Sequence, residues 1–295
     1  MTSNILAAID IGSNAIRLLI SNVEYDGKNK DFRKMAFLRV PIRLGEDVFT
    51  EGKITEEKGV RFREAMQGFS HIMKAYNVQS YRACATSAMR DAKNGLDITT
   101  GILKNSGINI EIISGQAEAE YIYNAGGLDS VVDKSQSYLY VDVGGGSTEV
   151  IVYSGGHKVD AHSFQLGTVR MLTGMVEDRE LDFFRKWLKG IYKKYAPLSV
   201  IASGGNINKV HKMLGKRDRE TIKYTELKVL FDTLSDMTYE ERIQNFKLNP
   251  YRADVIIPAL KIFLTIGKVC KINEMYVPKV GLVDGIIHQL SEGIQ

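Results

Sequence analysis

The chain has 295 residues, 44% of them apolar and 25% charged, with a net charge of +4. That length is natural for two domains, the composition is that of an ordinary globular protein, and the charge is too small to imply a nucleic-acid partner. The most apolar stretch, 255–267, is interrupted by Pro258 and Lys261 and falls short of a membrane span, the N-terminus has no basic region of a leader peptide, and two cysteines, Cys84 and Cys270, make no disulfide framework, so a cytoplasmic protein is expected.

Three strands open the chain, near 5–10, 15–24 and 33–40. The first ends in Asp10, a small-residue turn of Gly12, Ser13 and Asn14 comes next, and Arg17 lies on the return strand. Phe62, Met66, Phe69, Met73 and Tyr76 recur at spacings of three and four, which predicts a helix over 55–76. Residues 81–86 read as a buried strand, followed by a small-residue turn and Arg90. A strand over 108–113 leads to Ser114, placed to N-cap a helix that carries Glu118 and Glu120 and ends near Gly126. The polar stretch 128–137 is the expected boundary between a first lobe, 1–127, and a second, 128–295, whose final helix has the option of packing back on the first.

The second lobe repeats the opening, with strands near 138–142, 147–153 and 158–165. Helices are expected near 168–175 and 178–195, then a strand over 198–205 running into Gly204-Gly205, a helix over 206–214, helices over 224–236 and 251–269, a strand at 274–277 and a last helix from Leu282. Hairpins followed by strand–helix alternation, twice, imply two α/β lobes with mixed sheets. Residues 1–150 carry 17 Lys/Arg against 19 Asp/Glu, whereas 151–295 carry 22 against 16, so the second half either could attract an acidic substrate or simply carries a solvated basic surface.

The two hairpins are variations on one theme. Residues 8–20 (AIDIGSNAIRLLI) and 140–152 (YVDVGGGSTEVIV) align without gaps, matching Asp10 with Asp142 and Gly12 with Gly144. Turns of Gly, Ser and Asn let backbone N–H groups converge on an anion, because little side-chain bulk blocks the approach. Gly12, Ser13, Asn14 and, in the second loop, Gly144, Gly145, Gly146, Ser147 and Thr148 are therefore candidate phosphate ligands. Asp10 and Asp142 each place a carboxylate where Mg²⁺ or another divalent cation could sit, or each caps its own turn. Two such hairpins suggest two lobes serving one phosphate. The five histidines show no zinc spacing.

The arrangement resembles the actin-like (ribonuclease H-like) superfamily and, within it, the Ppx/GppA family of exopolyphosphatases and guanosine pentaphosphate phosphatases. The stretches that carry the resemblance occur in family order: 7–20, 85–92 (ATSAMRDA), 111–120 (EIISGQAEAE), 140–152, 166–171 (LGTVRM), 202–210 (ASGGNINKV) and 249–260 (NPYRADVIIPAL). The resemblance implies two duplicated lobes of mixed sheet flanked by helices and a hydrolase acting on phosphoanhydrides. Its substrate would be polyphosphate or a guanosine nucleotide, with no nucleic acid or membrane partner, and the chain would form a homodimer.

Carried over residue by residue, the resemblance makes Glu118 the catalytic base, since the second acid of the family's SGxEEA pattern falls there. Helix geometry puts Glu118 and Glu120 roughly 200° apart, so only one can face a cleft. A first-turn acid that complements the helix dipole is the plainer use of Glu118. Ala117 stands where many relatives have an acid and Glu120 where they often have a base. Arg90 matches the family's Thr-x-x-x-Arg pattern from Thr86 and becomes the phosphate clamp; a surface ion pair is the alternative. Glu149, the acid of GGGSTE, joins the metal carboxylates or faces solvent from its strand. Arg17 is a weaker phosphate candidate that could pair with nearby acids instead. Gly204 marks a close backbone approach before a helix N-terminus, beside a nucleotide, an inner stretch of polyphosphate or nothing. Arg252 and Asp254 match a signature that an internal salt bridge explains equally well. Longer family members carry a further helical C-terminal region linked to processive degradation, so short polyphosphates or guanosine pentaphosphate are the expected substrates. A phosphotransferase of the same superfamily and a non-catalytic alarmone or polyphosphate sensor are the competing functions.

Overall fold

Continuous apolar runs, buried on both faces, make up much of the first two strands, and they form the predicted hairpin: β1 (Thr2–Ile11) runs antiparallel to β2 (Ile16–Tyr25), which pairs in turn with β3 (Lys30–Val40). These coordinates are a computed structural model that describes residues 2–125, 133 and 135–293. The chain divides into two units, residues 1–126 with 281–295, and residues 127–280. Most of the stretch 128–137, expected as the lobe boundary, lies outside the described residues.

In the first unit β3 is followed by α1 (Leu44–Glu51), α2 (Glu56–Ala75), β4 (Ser80–Ala85), α3 (Ser87–Asp91), α4 (Gly95–Ser106), β5 (Ile110–Ile112) and α5 (Gly115–Tyr123). The sheet order is β3-β2-β1-β4-β5, with β4 and β5 joined in parallel. One face of the sheet, Ile9, Ile11, Ile16, Leu18 and Ile20, packs with Phe62, Met66, Phe69 and Met73 of α2. Thr55 caps α2 by accepting the Lys58 N–H, and Ser114 caps α5 by accepting the Ala117 N–H at 3.1 Å.

The second unit holds β6 (Ser137–Val143), β7 (Thr148–Ser154), β8 (His157–Phe164), α6 (Thr168–Leu172), α7 (Asp178–Tyr195), β9 (Leu198–Ser203), α8 (Gly205–Met213), β10 (Ile222–Lys223), α9 (Tyr224–Ser235), α10 (Tyr239–Phe246), α11 (Pro250–Ala253), α12 (Ile256–Val269) and β11 (Glu274–Tyr276). Its sheet order, β8-β7-β6-β9-β11-β10, repeats that of the first unit strand for strand and adds β10 beyond the edge. Both sheets are mixed and flanked by helices, as the duplication in the sequence requires. Helix α12 is the centre of this core: Ile256, Leu260, Ile262, Phe263 and Ile266 are each at most 2% exposed. The last helix, α13 (Leu282–Glu292), returns to the first unit and packs on α5 and β1.

Several expectations change. The helix expected over 251–269 is two helices, α11 and α12, broken near Asp254. Pro258 explains the break: a proline fits only the first turn, where its missing N–H is not needed, and it is the third residue of α12. Tyr76, placed on the buried stripe, caps α2 instead and is exposed. The strand over 108–113 shortens to Ile110–Ile112. Helices α1, α4 and α10 were not foreseen.

The return of α13 depends on one missing side chain. A Cβ on Gly285 would lie 1.9 Å from the Tyr121 carbonyl oxygen of α5. Gly285→Ala is expected to destabilise the protein by at least about 1–3 kcal/mol, the usual cost of overpacking. Gly68→Ala on α2, where a Cβ meets nothing within 4 Å, is expected to leave stability unchanged or raise it by about 1 kcal/mol. Urea unfolding of the two variants checks the contrast.

Candidate active site

Each hairpin turn is built the same way. In the first unit the Gly12 N–H donates to the Ala15 carbonyl at 3.2 Å; in the second the Gly144 N–H donates to the Ser147 carbonyl at 3.0 Å. A Cβ at Gly12 or Gly144 would stand 3.2 or 3.1 Å from that same carbonyl oxygen, so both turns favour glycine at this point.

The segment after the third strand then locks the turn. In the second unit the carbonyl of Gly144 accepts the Thr168 N–H at 3.0 Å, that of Gly145 accepts the Val169 N–H at 2.7 Å, and that of Gly146 accepts Arg170 Nε at 2.9 Å. In a trans peptide the N–H points opposite to the C=O. Three carbonyls turned towards α6 therefore aim the N–H groups of Gly145, Gly146 and Ser147 the other way, as a cradle for an anion. In the first unit the Ser13 carbonyl accepts the Gly45 N–H at 2.9 Å and the Asn14 carbonyl accepts the Arg43 N–H at 3.2 Å. The N–H groups of Asn14 and Ala15 are aimed in the same manner.

Gly45 and Gly167 are the functional residues that sequence reasoning missed. A Cβ on Gly45 would meet Ser13 Cβ at 2.7 Å, and one on Gly167 would lie 2.3–2.4 Å from the Gly145-Gly146 peptide. The signal was present: Leu44-Gly45 and Leu166-Gly167 come after the third strand of each lobe. Thr148, expected on the phosphate, is fully buried and donates its hydroxyl to the Leu166 carbonyl, so its side chain braces the loop.

The carboxylates diverge between the units. Asp10 faces Arg17 across the hairpin and the two form an ion pair in which Asp10 is buried and Arg17 is partly exposed. At the matching place in the second unit, Asp142 faces Glu149. Both are buried, at 8% and 1% exposure, and their carboxylate oxygens lie within 4.8 Å of one another. Ser163 donates to Glu149 at 2.8 Å. Two buried carboxylates this close repel unless a cation or proton joins them. Oxygen donors of this kind suit a hard divalent cation, so these two residues fit a metal.

Glu118 lies in the first turn of α5, 7% exposed, while Glu120 is exposed. Arg90, on α3 directly after β4, donates to the Ile113 carbonyl at 2.7 Å and stands 3.4 Å from Glu118. Gly204 sits between β9 and α8 with φ at 113°, and a Cβ there would lie 2.8 Å from the Val143 carbonyl. Arg252 donates to the Gly205 carbonyl at the start of α8.

Comparison with known proteins gives the family. The model of the Ppx/GppA phosphatase family matches residues 23–292. The chain belongs to the Ppx/GppA phosphatase family. It is a phosphohydrolase of the exopolyphosphatase/GppA type. A guanosine-5'-triphosphate,3'-diphosphate pyrophosphatase of Vibrio parahaemolyticus is 27% identical over the whole chain, which spans 61% of that relative's length. The solved structure of the Aquifex aeolicus Ppx/GppA family member superposes with a TM-score of 0.79 at 25% identity, covering all of both chains. An exopolyphosphatase from Cytophaga hutchinsonii shares the fold at a TM-score of 0.85 and 22% identity, covering all of this chain and 99% of the other.

The remaining titratable groups near these loops are structural. Cys84 lies opposite Asp10 in the β1–β4 pairing, and burial pushes its thiol up to about 12, so it stays protonated and unreactive at neutral pH. Asp47 of α1 is buried, which raises its pKa, but bonds from Lys58 and Thr55 outweigh burial and hold it below the usual carboxylate range. Lys58 also donates to the Arg43 carbonyl at 3.0 Å, tying α2 to the residues that close the first turn.

Two outcomes are expected. A carboxyl whose folded pKa is depressed stabilises the fold above its unfolded pKa and loses that effect as pH falls through the folded value. Asp47→Asn should therefore be less stable than the parent at pH 7, with the gap closing below about pH 4 in thermal melts. Gly167→Ala should weaken binding of inorganic phosphate at least about tenfold by calorimetry, because the loop peptides must move for the new methyl.

Proposed function

We propose that the chain releases the terminal phosphate of inorganic polyphosphate or guanosine pentaphosphate by attack of water. The observation that supports this best is the doubled turn, with carbonyls locked and N–H groups aimed outward, joined to the Asp142–Glu149 pair. Such a site has what phosphoryl transfer asks for: donors for the phosphoryl oxygens and anchorage for a cation. The relatives named exopolyphosphatase and guanosine pentaphosphate pyrophosphatase support the substrate class.

In this reading the backbone N–H groups of Gly145, Gly146 and Ser147 hold phosphoryl oxygens of the substrate, and those of Asn14 and Ala15 offer the same kind of anion cradle in the first unit. Arg90 clamps the phosphoryl oxygens, with its orientation fixed by the Ile113 carbonyl. Arg17, paired with Asp10 beside the first turn, offers its remaining guanidinium donors to the phosphate. Asp142 and Glu149 would hold Mg²⁺, which would supply charge neutralisation for the phosphoryl oxygens. Asp10 is left out of the metal set because Arg17 already balances its charge. Glu118 accepts a hydrogen bond from the attacking water and orients it; the loose transition state of phosphoryl transfer asks little more of a base. Two buried free cysteines support a reducing, cytoplasmic setting.

Phosphate release from polyphosphate and guanosine pentaphosphate with Mg²⁺ tests the reading. Glu118→Gln should keep phosphate affinity and lose about 10²–10⁴-fold in kcat, while Glu120→Gln stays near the parent. The reverse pattern would remove Glu118 from its role. Asp142→Asn should raise the Mg²⁺ concentration needed for half-maximal rate, and full activity of the parent in EDTA would remove the metal from the account.

A further inference from the structure

Helix α4 turns an apolar stripe outward. Leu96, Thr100 and Leu103 recur at spacings of four and three, which puts them within about 60° of one another around the helix. Leu96 is 75% exposed, the most of any large apolar side chain among the described residues, and Leu103 is 45% exposed. Thr100 lies between them, and its hydroxyl donates to the Leu96 carbonyl at 2.8 Å, which satisfies the one polar side chain of the stripe. The inward face needs none of these residues: Ile98 and Ile102 join the core there, and α4 packs on α2.

Two charges flank the stripe along one side. Asp97 and Lys104 are seven residues apart, nearly in line and about 10 Å from each other along the axis. Both are exposed, and among the described residues neither makes an ion pair. Each suits the dipole at its own end of the helix, and together they give the face an acid at one end and a base at the other. Such a face is complementary to itself reversed. When two copies of α4 lie antiparallel about a two-fold axis at Thr100, Leu96 of each meets Leu103 of the other, and Asp97 of each meets Lys104 of the other on the same side. Parallel packing puts the two charged flanks on opposite sides and pairs none of them.

We propose that this face of α4 is where a second copy of the chain docks, as an antiparallel, two-fold helix pair. Removing the four leucines from water supplies the attraction, and the Asp97–Lys104 pairs set the direction. The contact is at the small end of specific interfaces, so the dimer should form between about 10 μM and 1 mM protein.

Sedimentation equilibrium of the full chain over that concentration range tests the proposal. The mass of the parent should rise from 33.0 kDa towards twice that value. The Leu96→Ser/Leu103→Ser variant should dimerise at least about tenfold more weakly. Asp97→Lys and Lys104→Asp should each weaken the dimer about tenfold, because two attractions become two repulsions. Mixed in equal amounts, these two charge variants should form a heterodimer with an affinity within about threefold of the parent's, since each carries the charges the other lacks. The mixture contains the same two chains as the separate samples, so a change in the folding of either variant cannot produce that recovery. A parent that stays monomeric to the top of the range overturns the proposal and leaves the stripe to a different partner. A parent dimer untouched by the leucine variant also overturns it, because another surface then holds the copies. A mixture that associates no better than either charge variant alone ends the antiparallel pairing.

Discussion

The candidate site depends on where a few peptide carbonyls point. Three carbonyls of the Gly144–Gly146 turn are held by the segment that starts at Gly167. Because a peptide's two polar ends are opposed, fixing the carbonyls fixes the donors. The glycines serve this arrangement in two ways. Those of the turn keep its surface free of side chains, and Gly167 lets a second backbone come close enough to lock it. The first unit uses the same device through Gly45 and Arg43, and α2 reinforces it through Lys58. Donors preset in this way need no reorganisation when a charged ligand arrives, which is where most electrostatic catalysis comes from.

On this shared frame the two units differ at one cross-strand position. The first places Arg17 opposite Asp10; the second places Glu149 opposite Asp142. The exchange of a cation for an anion turns an ion pair into a pair of buried carboxylates that could hold a metal. A duplicated fold thus provides one hairpin that balances its own charge and one suited to a metal.

Much of this was legible in the sequence, for identifiable reasons. The hairpins were readable because Asp10–Gly12 and Asp142–Gly144 repeat a pattern that two unrelated turns would not share. The helix α2 was readable from its apolar spacing and α5 from Ser114. Helix α10 escaped although Thr238 and Glu241 form a capping box, because it is only two turns long and its apolar stripe, Tyr239, Ile243 and Phe246, is short and no more than half-buried. Helix α4, with Thr99, Thr100 and Gly101 in its middle, has weak intrinsic propensity and owes its form to packing on α2. The roles of Gly45 and Gly167 were hidden because each acts on a turn far away in sequence, and only the folded chain brings them together. Arg17 was ambiguous for a similar reason: whether it meets Asp10 depends on the hairpin register.

The central claim is that the locked turns bind phosphate through backbone N–H groups. Amide NMR with inorganic phosphate and Mg²⁺ tests it most directly. The account predicts that the amide signals of Gly145, Gly146 and Ser147, and those of Asn14 and Ala15, shift and saturate as phosphate is added. Signals of these turns that stay unmoved while amides elsewhere shift would contradict it.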